Sequence, residues 1–181
     1  VDLCHDLTIH SHALEGQIMA TTTIKQRLAD GQVVRVMFVG PLASPRLVEI
    51  LGLHGDLHAV WFDQEHARVD HQELAMLLIA ARAVGLDAFV RAVPADYASL
   101  MRPMELGASG IMVPQVRDVD QVKEAVQWAK YPPLGVRGLY QGNYEARYGG
   151  IDAATHIEQA NRDRWLCIQI ETAEAVDCVE Q

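Results

Sequence analysis

Apolar and polar positions alternate between two periods along this chain. Short apolar runs occur at residues 33–39, 59–62, 87–93, 110–113 and 165–170. Between them lie segments with helical spacing. Leu74, Leu77, Leu78, Ala81 and Val84 form one apolar stripe, and Val122, Ala125, Val126 and Ala129 form another. Punctuation agrees with the periods. Gly31 closes a short helix over residues 23–30. Ser44-Pro45 opens a helix that runs to about Leu51. Asp70 with Glu73 makes a capping box, and Gly85 ends that helix. Further helices are predicted over residues 96–106, from Asp118, over 152–160, and from Thr172 to Gln181. Residues 131–150, rich in Gly and Pro, read as irregular.

Strict strand–helix alternation predicts right-handed βαβ units and a parallel sheet. Five units in about 150 residues is the pace of a (β/α)8 TIM barrel, which takes ~250. The chain therefore reads as an α/β barrel truncated after about five units, with roughly three missing. Residues 1–20 read as an irregular extension and 21–181 as the N-terminal part of one barrel domain. A doubly wound sheet is the alternative, but no GxGxxG follows the first strand.

Composition narrows the classes. Half of the 181 residues are hydrophobic and the formal net charge is −9, which disfavours nucleic acid and anionic membrane as partners. Three cysteines, Cys4, Cys167 and Cys178, with no CxxC, predict reduced thiols in a cytoplasmic protein. No apolar run approaches the ~18 residues of a membrane span. His5, His10 and His12 could suggest a metal site, but no periodic scaffold holds them, so an irregular extension is the better reading.

The chemistry concentrates at strand ends. AVWFDQEH, residues 59–66, stops abruptly on Asp63, Gln64, Glu65 and His66. A second run ends on Arg91, and a third on Gln169, Ile170 and Glu171. Barrel enzymes build their sites at the carboxyl ends of strands, so these groups are expected to face one another. A histidine there suits general-base work. The arginine suits a carboxylate or a developing oxyanion, and Glu171 suits a hard cation. The three lysines, Lys25, Lys123 and Lys130, all fall in or beside helices, which argues against Schiff-base chemistry in this part of the protein.

FDQEH, FVRAVP, GASGIMVPQV, KYPPLGVRG and IQIET, in this order, resemble the metal-dependent class II pyruvate aldolases. These include the 4-hydroxy-2-oxoheptanedioate and 2-dehydro-3-deoxyglucarate types, in a superfamily with citrate lyase β-subunits and malyl-CoA lyases. The resemblance covers residues 24–181. It implies a (β/α)8 barrel, a homohexamer, and cleavage of a 4-hydroxy-2-oxo acid to pyruvate and an aldehyde. It implies a divalent cation, Mg2+ or Mn2+, with Co2+ a further option. It places Glu171 as a metal ligand, with a second ligand, an aspartate, after a sixth strand. His66 takes the acid/base role and Arg91 the pyruvate carbonyl oxygen. Gln169, Glu65 and Pro114 line the substrate pocket. Asp63 and Glu65 flank His66, and Glu105 falls where an aspartate partners the histidine. Gln64 stands where these aldolases carry glycine. An acyl-CoA lyase of the same superfamily and a non-catalytic barrel subunit are the alternatives.

Overall fold

A computed structural model describes residues 23–180. The histidines and Cys4 of the first 22 residues, and Gln181, lie outside the described residues. Five strands form one sheet, all parallel and in sequential order: β1 (Val36–Val39), β2 (Ala59–Asp63), β3 (Asp87–Arg91), β4 (Gly110–Val113) and β5 (Trp165–Ile168). Each strand pairs with its neighbour in the chain, so the order never reverses. That order is the barrel progression and rules out the doubly wound alternative, whose strands change direction of travel at a switch point.

The helices lie where the capping signals placed them. α1 (Ile24–Ala29) precedes the sheet. α2 (Pro45–Leu53) starts under the Ser44 hydroxyl. α3 (His71–Ala83) carries the full capping box of Asp70 and Glu73. α4 (Tyr97–Glu105) starts at Asp96, and α5 (Val119–Ala129) at Asp118. α6 (Ala153–Asp163) starts at Asp152, and α7 (Ala173–Asp177) at Thr172. Each cap oxygen accepts from a first-turn N–H that has no intrahelical partner. Pro103 is tolerated inside α4, and α7 is shorter than its apolar pattern predicts.

The two faces of the sheet differ, as period two requires. Val39, Val60, Phe62, Ala88, Val90, Ile111 and Val113 point toward the helices and pack with Leu74, Leu77, Leu78 and Leu100. The opposite, concave face carries Ala59, Trp61, Phe89, Met112 and Trp165, with Ile24 of α1 packed against it. An aromatic ladder crosses this face. Ring centroids are 4.9 Å apart for Phe38–Trp61, 5.9 Å for Trp61–Phe89 and 5.2 Å for Phe89–Trp165. Gly110 makes room for it, since a Cβ there would come within 2.1 Å of the Trp165 ring.

The segment between α5 and α6 is irregular but anchored. Its Glu145 is buried and central. Arg137 Nη2 donates to it at 2.6 Å, Arg164 Nε donates at 2.9 Å, and His156 Nε2 lies 3.3 Å away. Burial alone would raise the Glu145 pKa, but the two guanidiniums outweigh it and hold it below the usual carboxylate range. No sequence period marks this cluster, because its members come from a loop, a helix and a strand start.

Candidate active site

Parity along the strands decides which side chains meet. Trp61 and Asp63 share one face of β2, and Phe89 and Arg91 share the same face of β3. Asp63 and Arg91 are register partners. Arg91 donates from Nε to Asp63 Oδ1 at 2.8 Å and from Nη2 to Oδ2 at 2.7 Å. Both side chains are buried. Burial pushes the Asp63 carboxyl up, but the Arg91 hydrogen bonds and the Glu65 N–H bring it below its ordinary value. The same pair raises Arg91, with Glu65 and Glu171 adding to the effect. The guanidinium also lies over Trp61, 5.0 Å from the ring centroid.

Glu65 continues the network outward. Its Oε2 is 3.2 Å from Arg91 Nε and 3.6 Å from His66 Nε2. The first contact is an ion pair without hydrogen-bond alignment, since Nε points at Asp63. Oε2 is therefore buried without a hydrogen-bond partner among the described residues. His66 itself is exposed at the mouth, with a side chain 72% accessible. Asp63 does not pair with the His66 ring. Its carboxylate takes the Glu65 backbone N–H at 3.0 Å, so it shapes the turn that carries the histidine while holding Arg91. The expectation that Asp63 and Glu65 together flank the ring is thus corrected for Asp63.

The carboxyl ends of β4 and β5 form the other wall. Glu171 Oε1 accepts from the Gln115 backbone N–H at 2.9 Å and from Gln115 Nε2 at 3.0 Å. Gln169 Nε2 donates to Oε2 at 2.7 Å. Gln115 holds a left-handed backbone, φ 56°, which turns its N–H toward Glu171. Pro114 is buried just before it. Gln115 is not among the site residues expected from the sequence. Its signal was available, a polar residue directly after the VP that closes β4.

The donor set bears on a metal. Glu171 offers carboxylate oxygens, and Gln169 Oε1 is buried without a partner among the described residues. Oxygen donors of this kind fit a hard cation that keeps waters or takes substrate oxygens. Among the described residues no group of three or more His, Cys, Asp or Glu could hold a metal ion.

Glu105 is the clear departure. It ends α4, away from the strand ends, and its charged surroundings are Arg137, Glu145 and His156. Burial raises its pKa. Within one chain it does not reach His66, because α4 runs back from the site and carries its last residue to the opposite end. Lys130 stands at a helix end, as expected. Burial lowers its pKa, although it caps α5 far from the strand ends and donates to the Asn161 and Arg164 carbonyls.

Sequential parallel strands with an ionic cluster at their carboxyl ends define an α/β barrel protein with its site at the strand mouths. Residues 35–181 match the HpcH/HpaI aldolase/citrate lyase family, and the chain belongs to that family. It is 34% identical over 139 residues to a 2-dehydro-3,6-dideoxy-6-sulfogluconate aldolase of Pseudomonas putida, covering 77% of this chain and 53% of the relative. It is 35% identical to a 4-hydroxy-2-oxovalerate aldolase of Novosphingobium aromaticivorans, covering 87% and 59%. The chain thus spans little more than half the length of these relatives. Among solved structures, the HpcH/HpaI aldolase from Desulfitobacterium hafniense superimposes with a TM-score of 0.78 at 30% identity, over 86% of this chain and 59% of that one. The citrate synthase SbnG superimposes with a TM-score of 0.76 at 27% identity, over 87% and 59%. Among the described residues no helix is long and apolar enough to cross a membrane.

Proposed function

We propose that the full-length protein is a divalent-metal-dependent aldolase. It cleaves a 4-hydroxy-2-oxo acid into pyruvate and an aldehyde. One observation carries the reading: Arg91 is locked by Asp63 at the mouth that also holds Glu65, His66, Gln169 and Glu171. The fork to Asp63 engages Nε and Nη2, which leaves the Nη1 edge for a substrate oxygen. Arg91 binds the keto oxygen there and stabilises it as negative charge develops on cleavage. Preorganisation matters, because the guanidinium is fixed before the substrate arrives and needs no reorientation during reaction. Gln169 orients the pyruvate moiety. His66, polarised by Glu65, takes the C4 hydroxyl proton during cleavage and returns it during condensation. Glu171 holds the cation, Mg2+ or Mn2+, with Gln115 and Gln169 fixing its carboxylate. When bound, that cation supplies Lewis-acid stabilisation of the developing charge. On this reading the full-length protein is a cytoplasmic homo-oligomer built on a complete barrel, in which further strands contribute the remaining ligand.

The test is pyruvate release from 4-hydroxy-2-oxo acids by the full-length protein. We expect activity that depends on added divalent cation and falls about 10²–10⁴-fold in His66→Ala. Undiminished activity in excess chelator, or in His66→Ala, overturns the reading. Preferential cleavage of malyl-CoA thioesters in the same assay assigns the site to the acyl-CoA lyases instead.

A further inference from the structure

The strand mouth opens on one side into a cavity that the proposed chemistry does not use. It has a volume of about 630 Å³ and lies between the β1–α2 and β2–α3 loops. Its walls include Pro41, Ala43, Pro45, Ala67, Val69 and Met76, and His66 stands at its edge. A second opening of about 280 Å³ runs from Gln64 and Glu65 to Asp70. The two share His66, Ala67, Arg68 and Val69, so both border the histidine loop. Glu65 also contacts Arg91. Arg91 thus touches Glu65 on the smaller opening, and His66 lines both openings.

Two of the polar groups on that wall, Ser44 and Glu73, are committed to helix caps. Ser44 Oγ caps α2 by accepting from Leu47 N–H at 3.2 Å. Glu73 accepts from the Asp70 N–H at 3.0 Å within the capping box. Gln72 and Arg68 remain at the exposed rim. What faces the interior is apolar, and the volume is in the range that small ligands occupy.

We propose that this cavity is the subsite for the non-reacting chain of the aldehyde partner, and that the preferred partner is an aldehyde with an aliphatic chain. The inference rests on the aldolase reading, which places His66 between the cleaved bond and this cavity. If Arg91 takes the pyruvate half on one side of the histidine, the aldehyde half extends on the other. An apolar wall gains about fourfold in binding per buried methylene. Its unengaged donors, on Arg68 and Gln72, are exposed, so a polyhydroxylated or carboxylated chain buried against the apolar wall pays desolvation without replacement bonds there.

The experiment measures condensation of pyruvate with acetaldehyde, butanal, hexanal, glyceraldehyde and succinic semialdehyde in the full-length protein. Exchange of the pyruvate C3 hydrogens with deuterium is followed in parallel without aldehyde. Hexanal should exceed acetaldehyde in kcat/KM by roughly 10–200-fold. Met76→Asp, at a half-exposed helix position, should lower the hexanal-to-acetaldehyde ratio at least about tenfold. Met76→Trp, which narrows the cavity without adding charge, should lower the same ratio. C3 exchange with no chain-length preference, or with glyceraldehyde or succinic semialdehyde preferred, overturns the subsite and leaves the aldolase reading intact. A ratio that survives both Met76 variants also overturns it. Absence of C3 exchange overturns the aldolase reading and the subsite with it.

Discussion

Asp63 and Arg91 are paired twice, once through the backbone as register partners of β2 and β3 and once through a two-bond fork between their side chains. The sheet itself thus sets the guanidinium. A one-residue strand slip would separate the fork and turn the slipping strand's member of the pair to the other face.

Removing Asp63 leaves a buried cation without its counterion. Asp63→Ala should lose about 3–5 kcal/mol of unfolding free energy in urea titrations. Asp63→Asn should lose less, since it keeps one acceptor. The pH dependence follows in sign. The folded Asp63 pKa lies below its ordinary value, so its contribution is fully present above the unfolded pKa of about 3.9 and is lost as pH falls through the folded value. Wild type should therefore lose stability below about pH 4, and the Asp63→Asn variant should show a shallower acid limb.

Gln115 positions Glu171 with two donors from one residue. Gln115→Ala keeps the backbone bond and removes the side-chain bond. It should weaken divalent-cation binding about 10–100-fold by isothermal titration, while Glu171→Ala should abolish the titration signal. Equal affinities in wild type and Glu171→Ala would remove this carboxylate from the metal site.

Glu145 carries the fold of the 131–150 segment. Glu145→Ala strands Arg137, which is fully buried, and should cost about 3–5 kcal/mol. The lowered carboxyl gives this contribution the same sign as Asp63, present at neutral pH and lost on acidification. Thermal unfolding checks it. An unchanged midpoint would mean that the guanidiniums find other partners.

Gly110→Ala tests the aromatic ladder. The new Cβ meets the Trp165 ring, which has Phe89 on one side. A loss of about 1–3 kcal/mol is expected from overpacking.

The elements were legible because local signals coincided. Strand runs, the capping serine and aspartates, and the closing Gly85 agreed from β1 through α5. The polar strand ends were legible, and there Arg91 contacts Asp63 and Glu65 while Gln169 contacts Glu171. What escaped was pairing. Nothing in FDQEH says that Asp63 belongs to Arg91 rather than to His66, because that follows from register between strands 28 residues apart. Within one chain Glu105 lies apart from His66 for a related reason. Motif position carried it to the site, but helix direction carries it away. The Glu145 cluster escaped altogether, since its partners are drawn from three unrelated segments.

The aromatic ladder makes the site optically observable. Two of the three tryptophans, Trp61 and Trp165, lie on the concave face, and the Arg91 guanidinium rests over Trp61. Anions that reach Arg91 change the field at an indole whose Nε1 has no acceptor among the described residues. Emission from Trp61 becomes a reporter of occupancy that needs neither turnover nor a label, and Trp61→Phe supplies its blank.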